Sequence, residues 1–222
     1  IWTCRQMDES HRVGDVPSIY YIPNWLSPQE EEVLLRCIHS GKLSWTQLSN
    51  RRLQNLGGLV HPKGLLQTPI PSWLHPCLER CSQTGVFGSG APNHVLVNSY
   101  LPGQGILAHE DGPAYYPGVC IISMGGPAVI HFSPKQDAQQ IGRTSLVLQP
   151  RSLLIFKDLA YTQYLHSIDE VDAEHLGDNI ANLHMHPELE PGSILLRGPE
   201  RMSLTVRHVE KVVKSLLRLK NS

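Results

Sequence analysis

The chain has 222 residues, of which 41% are hydrophobic and 18% are charged, and its formal net charge is -1. This length suits one domain with a real core, and the balance is that of an ordinary globular protein. A charge near zero excludes a protein that binds polyanions over its whole surface, so any nucleic acid would have to be attracted by local patches.

The sequence indicates neither a disulfide framework nor a membrane segment. The five cysteines are odd in number and form no CxxC pair, and Cys77 and Cys81 have the spacing of one helix face. This pattern favours a reducing compartment, and we expect the protein in cytoplasm and nucleus. No run of about eighteen apolar residues occurs, so we expect no membrane association.

The N-terminal part predicts helices. Residues 1–15 are polar and mixed, which indicates a flexible lead-in, and 16–93 are expected to form a helical and lid region. A helix is predicted over 28–40, where Ser27 and Glu30 form a capping box and a glycine follows the last turn. A second, short helix is predicted near 73–84.

From residue 94 the sequence is made of short apolar runs at close intervals. The runs are His94–Tyr100, Val119–Met124, Ala128–Phe132, Ser145–Leu148, Leu153–Phe156, Tyr164–Ser167 and Ser203–Val209. Each is bounded by Gly, Pro, Asp or Ser, which is typical of an all-β sandwich or jelly roll. We therefore predict a mainly β fold with flanking helices and a core over 94–210.

Two segments depart from the strand pattern. Residues 169–190 hold seven acidic residues and no Lys or Arg, which predicts an acidic inserted loop exposed to solvent. Residues 211–222 continue a helical spacing of apolar residues that starts at Val209, with lysine and arginine between them. We predict a short amphipathic helix or tail there.

A metal site is indicated by His109 and Asp111, which lie two residues apart and would share one face of a strand. His166 lies downstream in another strand-like run. Two histidines and one carboxylate form the facial triad of non-haem iron(II) oxygenases, which leaves positions for a co-substrate and oxygen. Zinc accepts the same ligands, and an HxD pair alone is a weak signal because single histidines are more often structural.

A carboxylate clamp is indicated by Arg201 and Arg207, whose even separation puts both on one face of a strand together with Ser203. A buried guanidinium needs an anionic partner, and a dicarboxylate provides two. Asn98 and Tyr100 also alternate onto one face and would add hydrogen bonds to the anion. The alternative is that both arginines are surface residues of an edge strand, but the HxD pair and the later histidine favour the clamp.

The order of these motifs resembles the AlkB family of dioxygenases over roughly residues 16–210. The motifs are Asn98-Ser99-Tyr100-Leu101-Pro102-Gly103, His109-Glu110-Asp111, His166 and Arg201-x-Ser-Leu-Thr-x-Arg207. The resemblance implies a double-stranded β-helix core (a cupin-like jelly roll), with Fe(II), 2-oxoglutarate and O2 as cofactor and co-substrates. The iron ligands it implies are His109, Asp111 and His166. The co-substrate contacts it implies are Asn98, Tyr100, Arg201, Ser203 and Arg207.

The reaction implied by the resemblance is hydroxylation of a C–H bond, which becomes demethylation when the carbon is an N-methyl group. In the family, segments before the core form a lid for the substrate. Arg51 and Arg52 suit phosphate there, and Tyr115 and Tyr116 suit stacking on a base, although a solvated turn and simple packing explain these residues equally well. A base would have to be single-stranded or flipped to reach the iron.

Three hypotheses about function remain open from the sequence. The first is a nucleic-acid demethylase or hydroxylase, and the second is an oxygenase that acts on a protein or small molecule, since an acidic loop suits a basic peptide. The third is a non-catalytic nucleic-acid-binding module on the same fold, which the intact triad and both arginines disfavour. We expect a monomer.

Overall fold

The structure is a computed structural model that describes residues 7–40, 44–136 and 142–214. Its α-helices are α1 (Pro28–Ser40), α2 (His75–Gln83) and α3 (Asp158–Thr162), and its short 3-10 helices are Glu9–His11, Ser72–Leu74 and Leu183–Met185. Within these ranges no helix is both long and apolar enough to cross a lipid bilayer.

The rest of the regular structure is β. The strands are β1 (Ile19–Ile22), β2 (Thr46–Gln47), β3 (Arg52–Leu56), β4 (Gly58–His61), β5 (Gly64–Gln67), β6 (His94–Tyr100), β7 (Ile106–His109), β8 (Gly118–Gly125), β9 (Ala128–Pro134), β10 (Thr144–Leu148), β11 (Leu153–Lys157), β12 (Tyr164–Ile168), β13 (Ala173–His175), β14 (Ile194–Leu196), β15 (Arg201–Arg207) and β16 (Val212–Val213). Each apolar run of the sequence became a strand, although the predicted run at Ser203–Val209 lies two residues too late.

Two sheets form the core of the fold. The major sheet has the order β1-β11-β8-β15-β6-β3-β2, and the minor sheet has the order β10-β9-β12-β7. One apolar cluster combines residues of both sheets, including Phe132 of β9 and Phe156 of β11. Their rings pack edge to face, with 5.2 Å between the ring centroids. Antiparallel sheets joined by such a cluster confirm the predicted jelly roll.

The major sheet is covered on both faces. In β8, Val119 and Ile121 belong to the cluster shared with the minor sheet, whereas Cys120 and Ile122 belong to the cluster shared with the helices. Because successive side chains of a strand point to opposite faces, a strand covered on both sides is apolar throughout. This explains why the sequence shows unbroken apolar runs there instead of alternation.

Both predicted helices are confirmed. The Ser27 N–H donates to the Glu30 carboxylate at 2.7 Å, and the Glu30 N–H donates to Ser27 Oγ at 3.2 Å, which is the predicted capping box. Leu34 of α1 and Cys81 of α2 are fully buried against the major sheet. The described cysteines are free thiols, as expected.

The N-terminal region is more integrated than the sequence indicated. The predicted lid region 16–93 supplies β1, β2 and β3 to the major sheet, so residue 94 is not a structural boundary. Within the predicted lead-in, Glu9–His11 is a 3-10 helix and Val13 is 2% exposed, while residues 1–6 lie outside the described residues. Long-range strand pairing, which local composition does not report, is the reason for the difference.

The acidic segment, residues 169–190, exposes six of its seven acidic side chains, as predicted, but one buried glutamate and an apolar contact anchor it to the rest of the fold. Glu174 and Arg197 form a buried ion pair at 2.6 Å, and Arg197 also donates to the Asp169 carbonyl at 2.5 Å. Ile180 packs with Val147 of β10 in a third apolar cluster. The sequence did not reveal this anchoring because the positive partner of Glu174 comes from outside the segment, where a local count of charges does not include it.

The predicted C-terminal helix is wrong over its described part. Val212 and Val213 form β16, which pairs in parallel with Leu65 and Leu66 of β5. β-Branched valines favour extended backbone, and the free edge of β5 provides the hydrogen bonds. The remaining residues of that prediction, 215–222, lie outside the described residues.

Replacement of Glu174 by Ala is expected to lower the free energy of unfolding by about 3 kcal/mol, because Arg197 would remain buried without its carboxylate. Urea denaturation followed by circular dichroism measures the change. Asp178→Ala, at an exposed acidic residue of the same segment, is the matched control and should change stability by less than about 0.5 kcal/mol. Equal stabilities of the two variants would show that the ion pair does not anchor the segment.

Candidate active site

A cavity of about 470 Å³ is lined by residues of both sheets. Its apolar wall includes Leu96, Ile106, Ile121, Ile130 and Ile168. Its polar wall contains every predicted metal ligand and every predicted co-substrate contact. Residues as far apart in the chain as Asn50 and Arg207 therefore face one space.

Strand pairing brings the three candidate metal ligands together. β7 and β12 are antiparallel neighbours, and His109 is the register partner of His166. Their rings lie 4.2 Å apart between centroids. Asp111 follows β7 by two residues, and one ligand atom from each of the three side chains lies within 4.8 Å of the other two. A single ion can contact all three side chains at this spacing.

The protonation states suit metal binding. His109 Nδ1 lies 2.8 Å from the Leu107 carbonyl oxygen, so Nδ1–H donates and Nε2 is the ring nitrogen left for a metal. Burial lowers the pKa of His166 to about 4, so this imidazole is neutral at pH 7. Burial alone would raise the pKa of Asp111, but the Arg207 guanidinium lowers it, and the net shift is downward. The site therefore presents the carboxylate of Asp111, the neutral imidazole of His166 and the Nε2 atom of His109 to a metal.

β15 aims four polar side chains into the cavity. Arg201, Ser203, Thr205 and Arg207 line it, whereas the alternate residues Met202, Leu204 and Val206 join the apolar cluster beneath the helices. All seven residues of the strand are buried. The strand is central in its sheet, so the prediction that both arginines face inward is confirmed and the edge-strand alternative is excluded.

The two arginines have different surroundings. Arg201 donates to Ser123 Oγ at 2.9 Å, but its Nε and Nη1 have no hydrogen-bond partner among the described residues. Burial lowers the pKa of Arg201 to about 10. Arg207, by contrast, is bonded to Asp111, and this carboxylate keeps the pKa of Arg207 raised although burial acts to lower it. Arg201 is thus the guanidinium that still requires an anion.

Asn98 and Tyr100 of β6 stand beside this clamp. Tyr100 is the register partner of Arg201, and Asn98 is the register partner of Ser203. The Arg201 guanidinium lies 5.5 Å from the Tyr100 ring centroid. Both side chains line the cavity, as the alternation of the strand predicted.

The four predicted substrate contacts divide into two pairs. Arg51 and Tyr115 line the cavity, and the Tyr115 ring lies 4.9 Å from the Arg207 guanidinium. Arg52 does not line it: it donates to Glu200 at 2.8 Å and lies over the Trp45 ring at 4.4 Å. Successive residues of an extended chain point to opposite faces, which separates Arg52 from Arg51.

Tyr116 also lies outside the cavity lining. Its hydroxyl approaches Gly88, and its ring centroid lies 6.4 Å from that of His208. Its backbone N–H donates to the His208 carbonyl at 2.8 Å. The structure therefore supports a packing role for Tyr116, which was the alternative explanation.

Three residues near the site were not identified from the sequence. Asn50 lines the cavity next to Arg51, and Tyr161 donates from its hydroxyl to the Gly112 carbonyl at 2.7 Å. His94 lies 5.7 Å from Tyr115 between ring centroids, and burial lowers its pKa to about 4. The alternation of β6, extended from Tyr100 back to residue 94, was a signal that could have found His94.

Comparisons with known proteins agree with this geometry. The family described as the 2OG-Fe(II) oxygenase superfamily matches residues 39–207. A zebrafish (Danio rerio) protein named "Probable RNA/DNA demethylase ALKBH6" is 42% identical over 211 residues, which cover 90% of this chain and 89% of that protein. A mimivirus protein named "Uncharacterized protein L905" is 28% identical over 163 residues, which cover 71% of this chain and 75% of the viral protein.

Solved structures support the fold. The structure titled "The structure of OsALKBH1" superposes with a TM-score of 0.57 at 16% identity and covers 89% of this chain and 100% of its own. A 2OG-Fe(II) oxygenase family oxidoreductase from Burkholderia pseudomallei superposes with a TM-score of 0.55 at 10% identity and covers 88% of this chain and 89% of its own. With the sequence match over most of the chain, these findings confirm the resemblance noted in the motifs. The chain belongs to the 2OG-Fe(II) oxygenase superfamily, whose enzymes use Fe(II), 2-oxoglutarate and O2, and within it to the AlkB family.

Proposed function

We propose that this oxygenase demethylates or hydroxylates a base of a nucleic acid, with iron held by His109, Asp111 and His166. The observation that carries the proposal is that this ligand cluster and the unpaired guanidinium of Arg201 face one cavity. The name of the zebrafish relative, a probable RNA/DNA demethylase, supports the nucleic-acid substrate.

The three ligands fit Fe(II). Asp111 Oδ2 is buried and has no hydrogen-bond partner among the described residues, and His166 and His109 each offer a ring nitrogen. Two histidines and a carboxylate on one side of an ion leave the other side open. When bound, the iron with 2-oxoglutarate and O2 supplies the oxidation of a C–H bond, coupled to the conversion of 2-oxoglutarate to succinate and CO2.

The clamp fits 2-oxoglutarate. Arg201 offers two buried unpaired donors, and a carboxylate accepts two such bonds in a fork. Arg207 has an unpaired Nε beside the metal ligand Asp111, where the second carboxylate would lie. Asn98, Tyr100 and Ser203 complete this face with polar groups. These contacts orient the co-substrate so that one end points toward the metal ligands.

The substrate enters past Arg51 and Tyr115. An arginine and an aromatic ring suit a phosphate and a base, and a base reaches this cavity when it is single-stranded or flipped out of a helix. The apolar wall of the cavity excludes water around the reacting group. Arg51 and Tyr115 thus contact the substrate at the mouth of the cavity, and the apolar wall packs around it inside.

A basic peptide is less well supported as a substrate. That hypothesis rested on the acidic segment, yet Glu174 pairs with Arg197, and Asp169 pairs with Arg143 at 2.8 Å. A basic peptide would have to compete with these internal pairs. We therefore favour the nucleic acid.

His166→Ala is expected to abolish stoichiometric iron binding, because it removes one of three protein ligands. Anaerobic addition of Fe(II) and then 2-oxoglutarate should give a weak visible charge-transfer band in the wild type and none in the variant. His184→Ala, at an exposed histidine outside the cavity, is the control and should keep the band. Iron retained at full stoichiometry by His166→Ala would contradict the ligand assignment.

Arg201→Met is expected to weaken 2-oxoglutarate binding by about 1.5–3 kcal/mol, the value of a charged hydrogen bond. The same change should leave the stability of the free protein equal or higher, because a buried unpaired charge is replaced by an apolar chain of similar size. Calorimetric titration measures the first effect and urea denaturation the second. An unchanged affinity for 2-oxoglutarate would place the clamp elsewhere.

Turnover tests the substrate class. Single-stranded oligonucleotides with N-methylated bases should stimulate succinate formation and release formaldehyde, and the unmethylated oligonucleotide should not. Asp111→Ala should abolish both products. Stimulation by methylated basic peptides, with none by any oligonucleotide, would replace the nucleic-acid proposal by the protein substrate.

A further inference from the structure

A chain of hydrogen bonds links the acidic segment to the cavity. Asn50 donates from Nδ2 to Glu170 Oε1 at 3.1 Å, and its Oδ1 accepts from Arg51 Nη1 at 3.3 Å. Arg51 also donates from Nε to Asn98 Oδ1 at 3.3 Å. Arg51 is thereby held between a residue at the mouth and a residue of the co-substrate face.

The direction of these bonds is consistent from end to end. The carboxylate only accepts and the guanidinium only donates, so Asn50 turns its amino group to Glu170 and its oxygen to Arg51. Bonds aligned in this way strengthen one another. The Asn50 amide is therefore held by Glu170 and in turn holds Arg51.

The Glu170 end of this chain is fixed by its backbone. The Asp169 carbonyl accepts from the Arg197 guanidinium at 2.5 Å, and the Asp172 carbonyl accepts from the Arg197 N–H at 2.9 Å. Between them, the Val171 carbonyl accepts from the Gly103 N–H at 3.2 Å. Glu170 is therefore exposed but attached to a firmly held turn.

The net charge of the cavity is positive, which favours binding of an anion at its mouth. Arg51, Arg201 and Arg207 are cationic, whereas Asp111 is bonded to Arg207 and Glu110 is paired with Lys135. The charges of Fe(II) and 2-oxoglutarate cancel each other, so positive charge remains in excess. Arg51 carries more N–H donors than its two amide contacts use. A phosphate is the anion that a nucleic acid would present there.

We propose that Arg51 binds a backbone phosphate of the substrate strand, and that Glu170 and Asn50 are positioning residues that hold it in place. This inference rests on the proposed nucleic-acid function. It assigns to the acidic segment a role in nucleic-acid binding, the positioning of Arg51, that its negative charge would not suggest. A carboxylate near a polyanion normally weakens binding, whereas a carboxylate that positions the binding arginine strengthens it.

The experiment measures the anisotropy of a labelled single-stranded oligonucleotide with the full chain, Fe(II) and 2-oxoglutarate under anaerobic conditions, over a range of salt. Arg51→Met is expected to weaken binding about tenfold and to reduce the salt slope by about one unit. Glu170→Ala, which removes the acceptor of the Asn50 amide, is expected to weaken binding about threefold and to have no effect in the Arg51→Met background. The charge-transfer band of each variant confirms that the active site is intact.

Two further variants separate charge from position. Asp178→Ala makes the same charge change as Glu170→Ala at an exposed residue of the acidic segment, and should leave binding unchanged or slightly tighter. Arg51→Lys keeps the charge but lacks the fork that contacts two amides. It should therefore keep the salt slope and lose the dependence on Glu170.

The outcomes distinguish the two levels of the proposal. A wild type that forms the charge-transfer band but does not bind the oligonucleotide would overturn the nucleic-acid function and this inference with it. Equal binding by the wild type and Arg51→Met would overturn the inference alone. Tighter binding by Glu170→Ala, or an equal loss in both backgrounds, would contradict the positioning role of the carboxylate.

Discussion

Two guanidinium groups are buried on the central strand of the major sheet, and much of the structure depends on which anions neutralise their charges. Arg201 and Arg207 are 2% and 5% exposed. A buried charge without a partner is costly, so each arginine requires an anion. Arg207 obtains one from Asp111 within the chain, whereas Arg201 has none among the described residues and depends on a ligand. The fold thus holds one buried guanidinium ready for an anionic group, such as a carboxylate of the 2-oxoglutarate that this superfamily uses.

The bond between Arg207 and Asp111 also joins the two halves of the jelly roll. Arg207 lies on β15 of the major sheet, and Asp111 follows β7 of the minor sheet. The same carboxylate offers its other oxygen to the metal position, next to the paired histidines of β7 and β12. The candidate metal site, the clamp residue Arg207 and the contact between the two sheets therefore share one carboxylate. A change at Asp111 acts on all three at once.

The acidic segment shows how a charged stretch becomes part of a scaffold. Glu174 is neutralised by Arg197 inside the protein, and the backbone around Glu170 is held by the same arginine. These contacts place the segment against the minor sheet and bring one of its carboxylates to the mouth of the cavity. Its net charge alone would have suggested a basic partner. Two of its carboxylates are instead bonded within the protein, Glu174 to Arg197 and Glu170 to Asn50 beside the cavity.

The sequence by itself determined the helix over 28–40, the strand His94–Tyr100 and the jelly roll, and it selected candidate metal and clamp residues that line one cavity. These features depend on local periodicity and on motif order, which are written along the chain. Only the tertiary structure decided that Arg51 faces the cavity and Arg52 does not, that the acidic segment is packed, and that Val212 and Val213 form a strand. The physical reason is the same for these three features. Each depends on contacts with residues that are distant in sequence, and a local sequence pattern does not show which distant residues will be in contact.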